Sequence, residues 1–146
     1  MKAIVLLAVL LAGCGSAATP TDGGADTGTD AGVVDLTGHW LGVWNDADGN
    51  GGELTLEILQ AGDSLSGDVA FADSWCYAKG TVQGFFTNGA YQGGFVFGSS
   101  PDVLLMTVSG TLAGGELSGT WSNSTGSVPC CYCPADSGTW RVSGPT

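Results

Sequence analysis

Positive charge is nearly absent from this chain. Lys2, Lys79 and Arg141 stand against 14 Asp and Glu in 146 residues, and the formal net charge is −11. Such a surface repels phosphate backbones, which excludes nucleic-acid binding, and it opposes electrostatic docking on anionic lipid. Helical periodicity is also missing: from Asp35 onward no stretch repeats its apolar residues every three to four positions, so no helical core is expected. Long apolar runs are missing too. The one candidate, Ala3 to Ala12, is too short to span a bilayer as a stable helix. Histidine occurs once, at His39. It alternates with Trp40 and is expected to face outward as a solvated strand residue, and no nucleophile elbow accompanies it.

What is present begins with an export signal. Met1-Lys2 is a short positive start, followed by the apolar run and then Leu11-Ala12-Gly13-Cys14. That tetrapeptide resembles the lipobox of bacterial lipoproteins; the alternative is a plain signal peptide with a chance cysteine. The resemblance implies cleavage after residue 13 and acyl chains on the sulfur and amine of Cys14, making the membrane a partner through that residue. Each buried CH₂ contributes about 0.8 kcal/mol, so two or three chains anchor stably. Gly15 follows the cysteine where an Asp implies inner-membrane retention. The resemblance therefore implies export to the cell envelope, with the outer membrane favoured over the inner. Residues 14–34 are small, polar and acidic, with Asp22, Asp26 and Asp30 four apart. They bury too little apolar area to offset ordering entropy and read as a flexible linker.

Residues 35–146 read as one all-β domain. Short alternating runs separated by Gly, Asn, Asp and Ser predict strands over 36–44, 53–60, 64–71, 78–86, 90–97, 103–112, 116–122 and 137–143. A motif recurs: "LTGHW" at 36–40, "LSGDV" at 65–69, "VSGTL" at 108–112, "LSGTW" at 117–121 and "SGTW" at 137–140. Mid-strand glycine costs stability but permits the close packing that a small closed barrel needs. Turns are expected at 48–52, 61–63, 87–89 and 113–115. Eight antiparallel strands predict an up-and-down barrel, which removes open edges; the alternative is a two-sheet sandwich of the same strands. Glu53, Thr55 and Glu57 alternate with Leu54, Leu56 and Ile58, which opposes a membrane-spanning barrel with an apolar outer face.

"LTGHW" at the domain start, followed by a hairpin and "DSLSGDV" at 63–69, resembles the opening of avidin-type barrels, and Gly38-x-Trp40 is similar to the start of lipocalins. The resemblance covers mainly residues 36–69. It implies a calycin-type barrel of the kind that holds one ligand in its mouth. It does not extend to biotin: where avidins place an Asn two residues after this Trp, the chain has Gly42.

Cys76, Cys130, Cys131 and Cys133 remain once Cys14 is set aside. Outside the cytoplasm four cysteines favour two disulfides. Cys76 has no neighbour and is expected to pair into the 130–133 cluster, first with Cys131, leaving Cys130 to close on Cys133. The same four thiols would also suit zinc, although three ligands within four residues are cramped.

"NDADGNGGELTLE", residues 45–57, matches a calcium-loop pattern from Asp46 to Glu57. The loop leads into a strand, however. At about 3.3 Å per residue, Glu57 stands roughly 13 Å beyond Glu53 and cannot return to Asp46 and Asp48. A turn built by Asp, Asn and Gly is the expectation, with Asp46, Asp48 and Asn50 as the one metal candidate, for calcium. No cofactor is otherwise implied. Glu53 and Glu57 share an outer face, without the cleft that paired glycosidase carboxylates need. Trp40, Trp44, Trp121 and Trp140 fall on inner faces. They either fill the barrel or line a ligand pocket at its mouth. Tyr77 and Tyr132 are expected to pack over the disulfides. The chain thus reads as a non-enzymatic envelope protein. It is either a structural or interaction module with a protein partner, or a binder of a small apolar or glycan ligand.

Overall fold

The computed structural model describes residues 34–99, 101–124, 126–128 and 131–145. The export signal, Cys14 and the linker up to residue 33 lie outside the described residues, as does Cys130. Ten strands follow one another: β1 (Gly38–Asp46), β2 (Gly51–Ala61), β3 (Ser64–Phe71), β4 (Lys79–Thr87), β5 (Ala90–Ser99), β6 (Asp102–Ala113), β7 (Glu116–Asn123), β8 (Gly126–Val128), β9 (Cys131–Cys133) and β10 (Asp136–Ser143). Eight of them close a barrel in the order β1-β10-β7-β6-β5-β4-β3-β2. Every neighbouring pair is antiparallel. The expected up-and-down barrel is the fold, and the sandwich is excluded because β1 pairs with β10.

The β8–β9 hairpin is inserted between β7 and β10 and was not expected. Its three-residue strands are too short to show alternation. The first strand also starts later than expected, at Gly38. Leu36 instead turns under the barrel, where it is buried. Its N–H donates to Gln60 Oε1 at 2.8 Å, and its carbonyl accepts the Trp40 indole N–H at 2.9 Å.

Register explains the repeated motif. Antiparallel pairing of β7 with β10 sets Trp121 opposite Gly138 and Gly119 opposite Trp140. Pairing of β1 with β2 sets Trp44 opposite Gly52. The Trp121 and Trp44 indoles occupy space that Gly138 and Gly52 leave by having no side chain, and the Trp140 indole packs over Gly110 of β6. A Cβ on Gly138 would stand 2.7 Å from the Trp121 indole nitrogen, and one on Gly110 would stand 2.7 Å from the Trp140 ring. "SGTW" read along one strand and back along the next therefore builds a core of reciprocal Gly–Trp pairs.

The two barrel ends differ. β2–β3, β4–β5 and β6–β7 are joined by tight turns at Gly62-Asp63, Asn88-Gly89 and Gly114-Gly115. Asn88, Gly89, Gly114 and Gly115 all have φ between 53° and 81°, as the primed hairpin turns require. The domain's own termini lie at this end: Gly38 packs on Pro145. The opposite end carries the longer connections, 47–50, 72–78 and 124–135.

Candidate functional site

The interior is filled. Trp40, Trp44, Trp121 and Trp140 are all 4 % exposed or less. The space bounded by Leu56, Ile58, Leu65, Val82, Tyr91, Phe95, Leu117 and Trp140 admits no water-sized sphere. Three of the four indoles spend their N–H on the protein's own backbone: Trp40 on Leu36, Trp44 on Ala72 at 3.0 Å, and Trp140 on Ser109 at 3.2 Å and Thr120 at 3.3 Å. Of the two roles open to these residues, the geometry is that of filling, as expected for an eight-stranded interior.

The concave feature of interest is a groove of about 360 Å³ at the long-loop end. It is walled by Asp46, Asp48 and Asn50 from the β1–β2 turn, Asp73 to Tyr77 from the β3–β4 loop, Pro134 just ahead of β10 and Asp136 at its start. These segments converge because three devices bind them. The first is the turn itself. Asp46 accepts from the backbone N–H of Asp48 at 3.0 Å and of Asn50 at 2.7 Å, and from the Asn50 side chain at 2.7 Å. Ala47 N–H then donates to Ser137 O at 2.9 Å, tying the turn to β10.

The second device is a disulfide between Cys76 and Cys133, with Cα atoms 5.8 Å apart and a sequence separation of 57. The expected bridge from Cys76 into the cluster exists, but its partner is Cys133, not Cys131. The Cys130–Cys133 closure is therefore excluded. Cys133 directly precedes Pro134, whose carbonyl is held by the Asn123 amide at 3.0 Å, and this brings Cys133 over the barrel end.

Asn123 is the third device, and the sequence reading passes over it. It is buried and makes four bonds. Its Oδ1 accepts from the Tyr77 hydroxyl at 3.0 Å and the Asp136 N–H at 3.1 Å; its Nδ2 donates to Ser124 O at 2.8 Å and Pro134 O at 3.0 Å. Tyr77 lies beneath, stacked among Phe71, Phe97 and Trp121 with ring centroids 5.4–5.9 Å away. Tyr132 does the opposite of what was expected: it faces solvent at 73 % exposure.

Above this floor Trp75 stands 87 % exposed. Its position in a loop beside a cysteine, outside every alternating run, is the signal that could have found it. The groove's charge is one-signed: Asp46, Asp48, Asp73 and Asp136 line it, and no cationic side chain does. The Tyr77 phenol registers that potential. Burial first, then Asp136 and Asp46, push its pKa up to about 12. The Asp46 carboxyl is held below the usual carboxylate range, chiefly by the Asn50 side-chain bond.

The calcium-loop residues part company here. Asp46, Asp48 and Asn50 share the groove, but Asp46 already accepts three bonds from its own turn. Glu57 lies on the outer wall of β2, where it meets His39 Nδ1 at 2.5 Å. Among the described residues, no three His, Cys, Asp or Glu side chains converge as a metal site. The chain matches no family model, no curated protein and no solved structure, so its function is read from this geometry.

Proposed function

We propose that the protein is a lipid-anchored interaction module of the cell envelope, without catalytic activity, that meets a protein partner through the long-loop end of a filled barrel. One observation carries this reading. A solvent-facing Trp75 and Tyr132, each directly preceding one half of the Cys76–Cys133 bridge, are presented over a packed interior. Exposed aromatic residues on a fixed frame are the usual anchors of protein interfaces. A linker of 20 residues has an r.m.s. reach of about 25 Å. The described chain begins beside β1 at the tight-turn end, opposite the long loops. A second reading, a small-ligand binder, is favoured by the groove beside Trp75, whose size falls in the range of ligand pockets.

Site-specific photocrosslinkers at positions 75 and 132, with position 66 on β3 as control, test the first reading in cells. The expected result is a discrete protein adduct from the two loop positions and none from position 66. Adducts from none of the three, together with a small molecule released from the native protein on denaturation in a mass spectrometer, would establish the second reading instead.

A further inference from the structure

The Ser-Gly-Thr motif has an outer side that core packing leaves unused. In β6, β7 and β10 the glycines and tryptophans face inward, so the hydroxyls face out. Pairing brings them into three rows across the wall: Thr107–Ser122–Ser137, Ser109–Thr120–Thr139, and Thr111–Ser118–Arg141. Seven of the eight hydroxyl residues are exposed, and Ser118 is half-buried. The middle row continues into Gln92 on β5 and Asn45 on β1. With strands about 4.8 Å apart, that five-residue row spans roughly 19 Å. A shallow groove of about 410 Å³ runs over Thr107, Ser109, Thr120, Ser122, Ser137 and Thr139. Gly138 and Trp121 also border it, and the buried Trp121 indole N–H has no hydrogen-bond partner among the described residues.

None of the positions in these rows is a carboxylate, in a chain of net charge −11. The outward acids of the strands stand outside these rows: Glu116 at the start of β7, one step beyond Ser118, and Glu53, Glu57 and Asp68 on β2 and β3. The chemistry of the occupant follows by elimination. A polyanion is repelled by the protein as a whole. A protein partner needs an apolar or aromatic interface centre, and the apolar residues on this side, Val43 beside Arg141 and Leu105 on β6, stand only at the margins of the rows. A neutral polyhydroxylated ligand matches a surface whose every hydroxyl both donates and accepts. One sugar gains little, because each new hydrogen bond replaces one to water and nets only about 0.5–1.5 kcal/mol. A chain laid along several rows adds such terms while losing its translational freedom once.

We propose that the outer wall of β6, β7 and β10 is a binding surface for neutral polysaccharide. This site is separate from the Trp75 end and does not rest on the protein-partner reading.

Affinity electrophoresis of the detergent-solubilised full chain tests it, with dextran, mannan and hydroxyethylcellulose in the gel and alginate as the anionic control. Retardation by at least one neutral polymer and not by alginate is expected. The double variant Thr120→Glu/Thr139→Glu removes the central row and should weaken retention about tenfold or more. Trp75→Ala should leave it unchanged. If the double variant does not fold, the single Thr111→Glu takes its place, with a smaller loss. No retardation by any neutral polymer overturns the proposal. So does equal retardation by alginate, or retention that survives the wall substitutions in a folded protein.

Discussion

The two ends of the barrel are closed by different physics. At the tight-turn end each connection is solved within two residues: Asn88-Gly89 and Gly114-Gly115 adopt positive φ and reverse the chain locally. At the long-loop end the β1–β2 turn is local, but what binds the other loops acts at long range. A disulfide joins residues 57 apart, one asparagine collects bonds from three segments, and a buried tyrosine holds that asparagine in turn. The first end is a property of short sequence words. The second exists only once the barrel has formed, and it is where the protein exposes Trp75 and gathers its carboxylates. Long-range crosslinks supply the rigidity that turn residues supply at the other end, and they leave the loop sequences free to carry a surface.

Cutting the longest crosslink is the strongest way to break this contrast. Under the loop-entropy model a bridge closing 57 residues stabilises by about 4 kcal/mol. Cys76→Ala/Cys133→Ala should lower the thermal midpoint by roughly 20 °C. Hydrogen exchange locates the effect. Amides at 72–78 and 131–136 should lose protection first, while those flanking Asn88-Gly89 keep theirs until global unfolding. Uniform loss of protection would mean that the ends are not separate.

Alkaline pH probes the same end through one proton. The Tyr77 phenol is raised to about 12 by burial and by Asp136 and Asp46. In the unfolded chain it ionises near its ordinary value of about 10. A raised folded pKa means that stability is intact below the unfolded value and is lost as pH rises through the folded one. Stability should therefore decline between about pH 10 and 12, and Tyr77→Phe should flatten that decline. At neutral pH the same variant costs the hydrogen bond to Asn123 Oδ1, which keeps the Asp136 N–H as a donor. An alkaline limb unchanged in Tyr77→Phe would assign it to the rest of the fold, including Tyr91, whose pKa burial also pushes up.

Much of this contrast was legible in the chain, and the division follows range. Alternation placed the eight barrel strands and their inward faces, because period-two burial is written residue by residue. The turns at 61–63, 87–89 and 113–115 were legible for the same reason. The Gly–Trp pairs were visible only as a repeated word; their meaning needed the register between β7 and β10. Cys133 as the partner of Cys76 was not legible, because it depends on Asn123 holding Pro134 across the barrel end. Nor was the groove, which assembles Asp46, Asp73, Trp75 and Asp136 from three separate loops. The complete calcium pattern was legible as a coincidence of spacing: the alternation of Leu54, Leu56 and Ile58 already put Glu57 on a strand that carries it away from the turn.

The smallest effect belongs to the tight-turn end, and it sharpens the contrast by being purely local. Gly89 has φ +77° and open space where a Cβ would lie. Gly89→Ala therefore meets no steric obstacle and costs only the left-handed backbone, about 1 kcal/mol. Gly114→Ala, at φ +60° and equally open, should cost a similar amount. The two turns share no partner, so the double variant should sum the single losses to within about 0.5 kcal/mol in denaturant titrations. Neither substitution should alter crosslinking at position 75 or reduction of the Cys76–Cys133 bridge. A loss well above the sum would show that the turns are coupled through the barrel, and the tight-turn end would then be as cooperative as the loop end.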